Sequence, residues 1–445
     1  MSRVLHRSGA IPPAAVGGEG IRLRLSDGRA VIDASGGAAV ACIGHGNGRV
    51  AEAIARQAGA MAYAHTSTFS SEPAERLADL LLDGTPGGLT HAYFCSSGSE
   101  GTEAALKLAR QYFVEVGQQQ RTRFIARRQS YHGNTLGALA AGGNRMRRAP
   151  YEALLSPAFS HVSPCFAYRF KRNDESGAQY VNRLAEELEE EFRRLGPETV
   201  IAFIAEPVVG ATAGCVAALP GYFERVRAVC DRYGALLVLD EVMCGMGRTG
   251  TTHAWEQEGV APDIQVVGKG LGGGYQPIAG ILVAGRIVAA IRGGSGGFTH
   301  GHTYQAHPVA CAGALEVQRI IREHALVANV RRMGARLEQA LTERLGNHPH
   351  IGDIRGRGLF WAIEFVADRA SRAVFDPALR VNERVKRAVL AEGAAIYPMG
   401  GTIDGRQGDH VIVAPPYIVT EDDIAEIVDR VGRGVEAALA GVGRG

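Results

Sequence analysis

At 445 residues with 46% hydrophobic content, the chain exceeds what one hydrophobic core usually serves, which predicts an ordinary globular protein of two domains. A formal net charge of +2 argues against nucleic acid or a membrane surface as partner. No twenty-residue apolar run occurs, and Met1-Ser2-Arg3-Val4-Leu5-His6-Arg7 lacks a secretory apolar core, so the cytoplasm is the expected compartment.

Residues 1 to 20, rich in Gly, Pro and Ala, read as an arm without secondary structure. Gly20 to Asp33 alternates apolar and polar residues around Asp27-Gly28, which predicts a hairpin. Gly36-Gly37 and Gly44-His45-Gly46 punctuate the chain before a helix from Val50 to Met61. From residue 65 apolar runs alternate with helical stretches, predicting a mostly parallel sheet with helices on both faces. Its strands are expected at 89–95, 123–126, 199–205, 235–239, 264–267 and 278–283. Between them, Phe223, Val226, Val229, Cys230 and Tyr233 share one face of a helix with Pro220 near its start and Gly234 after its end. A long helix begins near residue 309, and beyond 326 helix, strand and helix form a separate α+β unit. The expected division is 1–64 as arm and part of a small domain, 65–325 as a large domain, and 326–445 as the rest of the small one.

Two strand tips carry the chemistry. Ala235-Leu236-Leu237-Val238-Leu239 delivers Asp240-Glu241, and Ile264-Gln265-Val266-Val267 delivers Gly268-Lys269. Carboxyl ends of strands in an open α/β sheet face the ligand crevice, so both charges are expected at one site. Lysine occurs only at 107, 171, 269 and 386, and other basic positions are arginine. Only a primary amine condenses with an aldehyde, and a carboxylate beside a pyridine nitrogen keeps it protonated; together they suit pyridoxal phosphate. A P-loop is excluded, because Asp263 and Gly270 stand where Gly and Ser or Thr are required.

Four other stretches complete the pattern. Ser97 and Glu100 stand at capping-box spacing in Cys95-Ser96-Ser97-Gly98-Ser99-Glu100, leaving the amides of Gly98 and Ser99 outward at a helix N-terminus suited to phosphate. Ser130-Tyr131-His132-Gly133 puts an aromatic ring at a strand end, and Glu206-Pro207 puts an acid at a third tip. Gly301-His302-Thr303 offers an amide and a hydroxyl on a loop before a helix. His300, His302 and His307 have no acid or thiol at ligand spacing, so no metal is expected, and the seven cysteines, an odd number without a CxxC pair, read as buried thiols.

The order and spacing of these stretches, with Ala414-Pro415-Pro416, resemble the class-III (ω-) aminotransferases, fold-type I pyridoxal-phosphate enzymes, over Gly20 to Ile424. The resemblance implies an α/β large domain with a mostly parallel seven-stranded sheet between helices, and a small α+β domain from both termini. It implies Lys269 as the Schiff-base lysine and Asp240 as the carboxylate on the ring nitrogen. Tyr131 and Val242 would flank the ring, with His132 beside it and Glu206 as a supporting acid. Ser97, Gly98 and Ser99 would hold the phosphate, completed by Thr303 of a neighbouring subunit in a homodimer, or a tetramer built from it.

Family members that use glutamate hold its α-carboxylate with an arginine just before Ala-Pro-Pro; here that position is Ile412, and the acid that gates it is replaced by Ala211. The pattern resembles members that pair ω-amino acids or simple amines with pyruvate. Arg406 is a candidate for a substrate carboxylate, and Tyr63, Phe69 and Trp255 are candidate pocket residues. The alternatives are a 2-oxoglutarate-dependent diamine or amino-acid transaminase, a lyase or decarboxylase on the same scaffold, and a non-catalytic binding protein. A nicotinamide dehydrogenase is disfavoured, since no GxGxxG opens a first βα unit.

Overall fold

The computed structural model describes residues 3–7 and 11–442. Its centre is a seven-stranded sheet in the order Leu89–Cys95, Ala279–Ala284, Ile264–Val267, Leu236–Asp240, Val200–Ala205, Arg123–Arg127, Phe159–Val162. Neighbours are parallel except Ala279–Ala284, which runs antiparallel to both of its partners. All six expected strands are present. The resemblance implies a seventh strand, which the sequence pattern does not place: it is Phe159–Val162, an edge strand whose Ser160 and His161 interrupt the apolar run, and among the described residues it pairs only with Arg123–Arg127.

The sheet is covered on both faces, and the strand period assigns each side chain to one of them. Leu237 and Leu239 join Phe203 and Ala205 in one apolar layer, while Leu236 and Val238 join Ala202 and Ile204 in the other. The helix Tyr222–Tyr233 packs Phe223, Val226, Val229 and Cys230 into the first layer, and Gly234 ends it in the left-handed conformation.

The expected hairpin forms as Arg22–Leu25 against Ala30–Asp33. The arm before it is more ordered than its composition predicts, because Ala15–Glu19 adds a third, antiparallel strand. Residues 1–2 and 8–10 of that arm lie outside the described residues. Ala394-Ala395 pairs parallel with Ile32-Asp33, and Ile21 and Ile32 share one apolar cluster with Val389, Ile396 and Val431. The two ends of the chain therefore build one core. A second sheet there runs Ile351–Arg357, Phe360–Phe365, Asp409–Val413, Tyr397–Gly400. All seven cysteines are buried free thiols, as expected.

Candidate active site

Asp240 and Lys269 stand at the carboxyl ends of adjacent parallel strands, with Asp240 in register with Val266, and both line a cavity of about 570 Å³. Ser97, Gly98, Ser99, Tyr131, His132, Glu206 and Val242 line it too. Five stretches far apart in sequence meet there because each follows a strand of the same sheet or precedes the helix behind it.

Each acid is held by donors. Asp240 Oδ2 accepts from His132 Nδ1 at 2.8 Å, and Oδ1 accepts from the Val242 amide at 3.0 Å. Glu206 Oε1 accepts from the Tyr131 amide at 3.0 Å and Oε2 from the Gly210 amide at 2.9 Å, so this carboxylate fixes the backbone of the aromatic residue. Burial raises the Glu206 pKa; His132 opposes that shift and Asp240 adds to it. His132 Nε2 is buried with no hydrogen-bond partner among the described residues.

Lys269 has φ 43°, an uncommon conformation for a side chain with a Cβ. The turn is held by Gln318 Nε2, which donates to the carbonyls of Gly270 and Leu271 at 2.9 Å each, and by Cys42 Sγ on Gly270 O. Burial lowers the pKa of the amine, while Asp240 and Glu206 favour its charged form. No described residue hydrogen-bonds its Nζ.

At the other end of the cavity Ser97 Oγ accepts from the Glu100 amide at 3.2 Å. The reciprocal bond differs from a capping box by one residue, since Glu100 Oε2 takes the Ser96 amide at 2.7 Å rather than that of Ser97. The helix Gly98–Glu115 thus begins with the Gly98 and Ser99 amides, which have no acceptor within the helix. Close packing shapes this end. A Cβ on Gly98 would lie 3.0 Å from Val242 Cγ1. Gly133, at φ 136°, leaves room for Ser99, whose Oγ accepts from the Asn134 amide at 2.9 Å.

Four expected pocket residues lie elsewhere. Trp255 is buried behind the sheet, its Nε1 donating to Gln265 Oε1 and its amide to Glu241, because the turn that carries it folds back under the strand tip. Tyr63 and Phe69 are exposed, and Tyr63 Oη donates to the carbonyl of Thr303 at 3.0 Å. Arg406 is also exposed, on a turn pinned by Asp404. Thr303 is itself exposed and does not line this chain's cavity. Ile412 is buried among Cys215, Phe360 and Ala362, whereas Ala211 reaches the cavity wall.

The sequence reading missed Arg7, Arg147, Met243 and Tyr397, which also line the cavity. Arg147 belongs to the run Arg145-Met146-Arg147-Arg148, and a cluster of arginines was the available signal, but spacing alone does not separate its members. Arg148 caps the carbonyls of Ala140 and Gly142, and Arg145 is exposed.

A primary amine, a carboxylate on the neighbouring strand tip, free helix-terminal amides and an aromatic side chain lining one cavity suit a phosphorylated pyridine aldehyde. The fold and this donor set define a fold-type I pyridoxal-phosphate transferase. The class-III aminotransferase family model matches residues 6–435, and the chain belongs to that family. It is 50% identical over 429 residues to an uncharacterized aminotransferase of Schizosaccharomyces pombe, covering 96% of this chain and 94% of that protein. A diaminobutyrate–2-oxoglutarate transaminase of Halomonas elongata is 35% identical, covering 94% of this chain and 89% of that one. The structure of an ω-transaminase of Pseudomonas jessenii in complex with PMP superposes with a TM-score of 0.92 at 34% identity, covering 98% of this chain and 94% of that one. The family's cofactor is pyridoxal phosphate.

Proposed function

We propose that this aminotransferase moves an amino group from an ω-amino acid or primary amine to a keto acid, pyruvate in the first instance, with Lys269 and Asp240 as its catalytic pair. Pyridoxal phosphate supplies an aldehyde that carries the amino group and a ring that draws electron density from the substrate Cα. The Gly98 and Ser99 amides and the positive end of their helix bind its phosphate. The Asp240 carboxylate, already oriented by Val242 and His132, would keep a proton on the ring nitrogen. Tyr131 and Val242, which line the cavity, would flank the ring and exclude water from it. Lys269 Nζ, kept toward its neutral form by burial, would carry the proton between the substrate Cα and the aldehyde carbon of the cofactor.

The observation that favours pyruvate is the corner made by Ala211 and Ile412. Ala211 lines the cavity with a methyl group, and Ile412 is sealed in an apolar cluster, so this corner lacks the guanidinium with which glutamate-using members hold the α-carboxylate. In the holoenzyme, an amine donor should bleach the visible cofactor band and pyruvate should restore it. A much faster return with 2-oxoglutarate than with pyruvate would refute this choice. It would favour instead a diamine or amino-acid transaminase, the activity named for the Halomonas elongata relative.

We further propose that the working unit is a homodimer in which Thr303 of one subunit completes the phosphate site of the other. The exposure of Thr303, Tyr63, Phe69 and Tyr304 supports this, since an isolated chain leaves these groups without cover. The division into a large domain over 65–325 and a small one from 1–64 and 326–445 is likewise our reading, supported by the core shared by the two ends of the chain.

A further inference from the structure

The cavity wall carries a guanidinium that nothing in the catalytic scheme uses. Arg147 faces the same space as Lys269 and Tyr131, close enough that its charge disfavours the ammonium form of Lys269. Its partners are poor for a cation. The guanidinium carbon stands 4.6 Å from the centre of the Tyr131 ring, Nη2 meets the Met399 thioether at 3.9 Å, and Nε is buried with no hydrogen-bond partner among the described residues. No described carboxylate lies at ion-pair distance, in contrast to Arg148 next to it, which pairs with Glu152 at 3.2 Å. An arginine has five N–H donors in a planar fork matched to a carboxylate, and leaving them unused in a part-buried site is unfavourable.

The acids of the cavity do not compensate. Neither Glu206 nor Asp240 is hydrogen-bonded to Arg147; their partners are Tyr131, Gly210, His132 and Val242. Arg7 lines the same wall and adds a second positive charge near the Tyr131 hydroxyl. The wall is therefore cationic where a substrate tail would lie, and the exposed Arg406 has no part in it.

We propose that Arg147 is the receptor for a carboxylate on the amino donor, so that the enzyme's donors are ω-amino acids rather than uncharged alkylamines. This rests on the aminotransferase reading and selects within it. The guanidinium binds the distal carboxylate through paired N–H donors while the amine end lies at Lys269.

The test uses the holoenzyme and the donor half-reaction, followed as loss of the cofactor's visible band. Half-saturating concentrations are measured for 4-aminobutyrate and for 1-butylamine, which lacks only the carboxylate. The wild type should favour 4-aminobutyrate, and Arg147→Met should shrink the ratio between the two donors about 10- to 100-fold, the range for a charge-assisted hydrogen-bonded pair. Arg147→Lys should recover part of it. A ratio unchanged in Arg147→Met overturns the proposal. Binding of butyrate, read by calorimetry on the resting holoenzyme, needs no turnover: it should be present in the wild type and weakened by the same factor in Arg147→Met. Equal butyrate affinity in both proteins overturns the proposal even if neither amine reacts, whereas loss of bleaching by every amine with butyrate binding intact overturns only the aminotransferase reading.

Discussion

Gly133→Ala is the perturbation whose consequence the geometry determines most fully. Gly133 has φ 136°, where only glycine is comfortable, and a Cβ added there would meet Ser99 Oγ at 2.7 Å and both Ser99 Cα and Ala138 Cβ at 2.8 Å. The backbone conformation alone costs about 1–3 kcal/mol for a residue with a Cβ, and overpacking a well-filled site about 1–3 kcal/mol more. A destabilisation of roughly 2–6 kcal/mol follows unless the neighbours move. The contacts fall short of an ordinary 3.4 Å approach by about 0.6 Å, so relief displaces Ser99 by that order. Ser99 opens the helix that receives the phosphate, and small misplacements in such a site are expensive in affinity and rate. Two assays apply: the urea midpoint of the cofactor-free protein, and the dissociation constant for pyridoxal phosphate from the visible band. Gly133→Ala should lower the first and raise the second by about tenfold or more. A variant that matches the wild type in both would show that the Ser99–Gly133 contact does not shape the cofactor site.

Asp240→Asn removes the negative charge that favours the ammonium form of Lys269, so the pKa of that amine, already lowered by burial, should fall further. A lysine whose folded pKa lies below its unfolded value makes the fold gain stability as pH rises between the two, because the unfolded chain binds the extra proton. That window should widen toward lower pH in Asp240→Asn, as the pH dependence of amine modification by an acylating reagent would reveal; an unchanged profile would remove Asp240 from contact with Lys269. For Thr303→Ala, cofactor affinity should drop although the residue lies outside its own chain's cavity. Mixing it with Lys269→Ala should yield heterodimers with one restored site, and absence of any complementation would refute the shared phosphate site.

The sites at strand tips were legible because each strand is a short, uniformly apolar run, so the first charged residue after it marks the sheet's edge. Asp240, Glu206 and Lys269 are of this kind. The glycine positions at 98 and 133 were legible for the same reason, as turns that follow a strand. Strands without such contrast were not: Ala15–Glu19 contains two glycines, and Phe159–Val162 places polar residues on an edge. Residues brought to the cavity by loop packing were also hidden. Trp255 has the composition of a pocket residue but serves the network of Glu241 and Gln265, while Arg147 sits among arginines with ordinary capping and surface roles. The direction of a side chain on a connecting turn or short helix depends on contacts distant in sequence, such as Met399 against Arg147 in the helix Arg145–Arg148, and no local pattern encodes them.

The central claim is that Lys269 is the amine that holds the cofactor. Borohydride reduction of the yellow holoenzyme, followed by peptide mass spectrometry, measures it directly. The account predicts the pyridoxyl mass increment on Lys269 alone, and no fixed cofactor at this position or turnover in Lys269→Ala. A label on Lys107, Lys171 or Lys386, or a Lys269→Ala enzyme turning over at the wild-type rate, would contradict it.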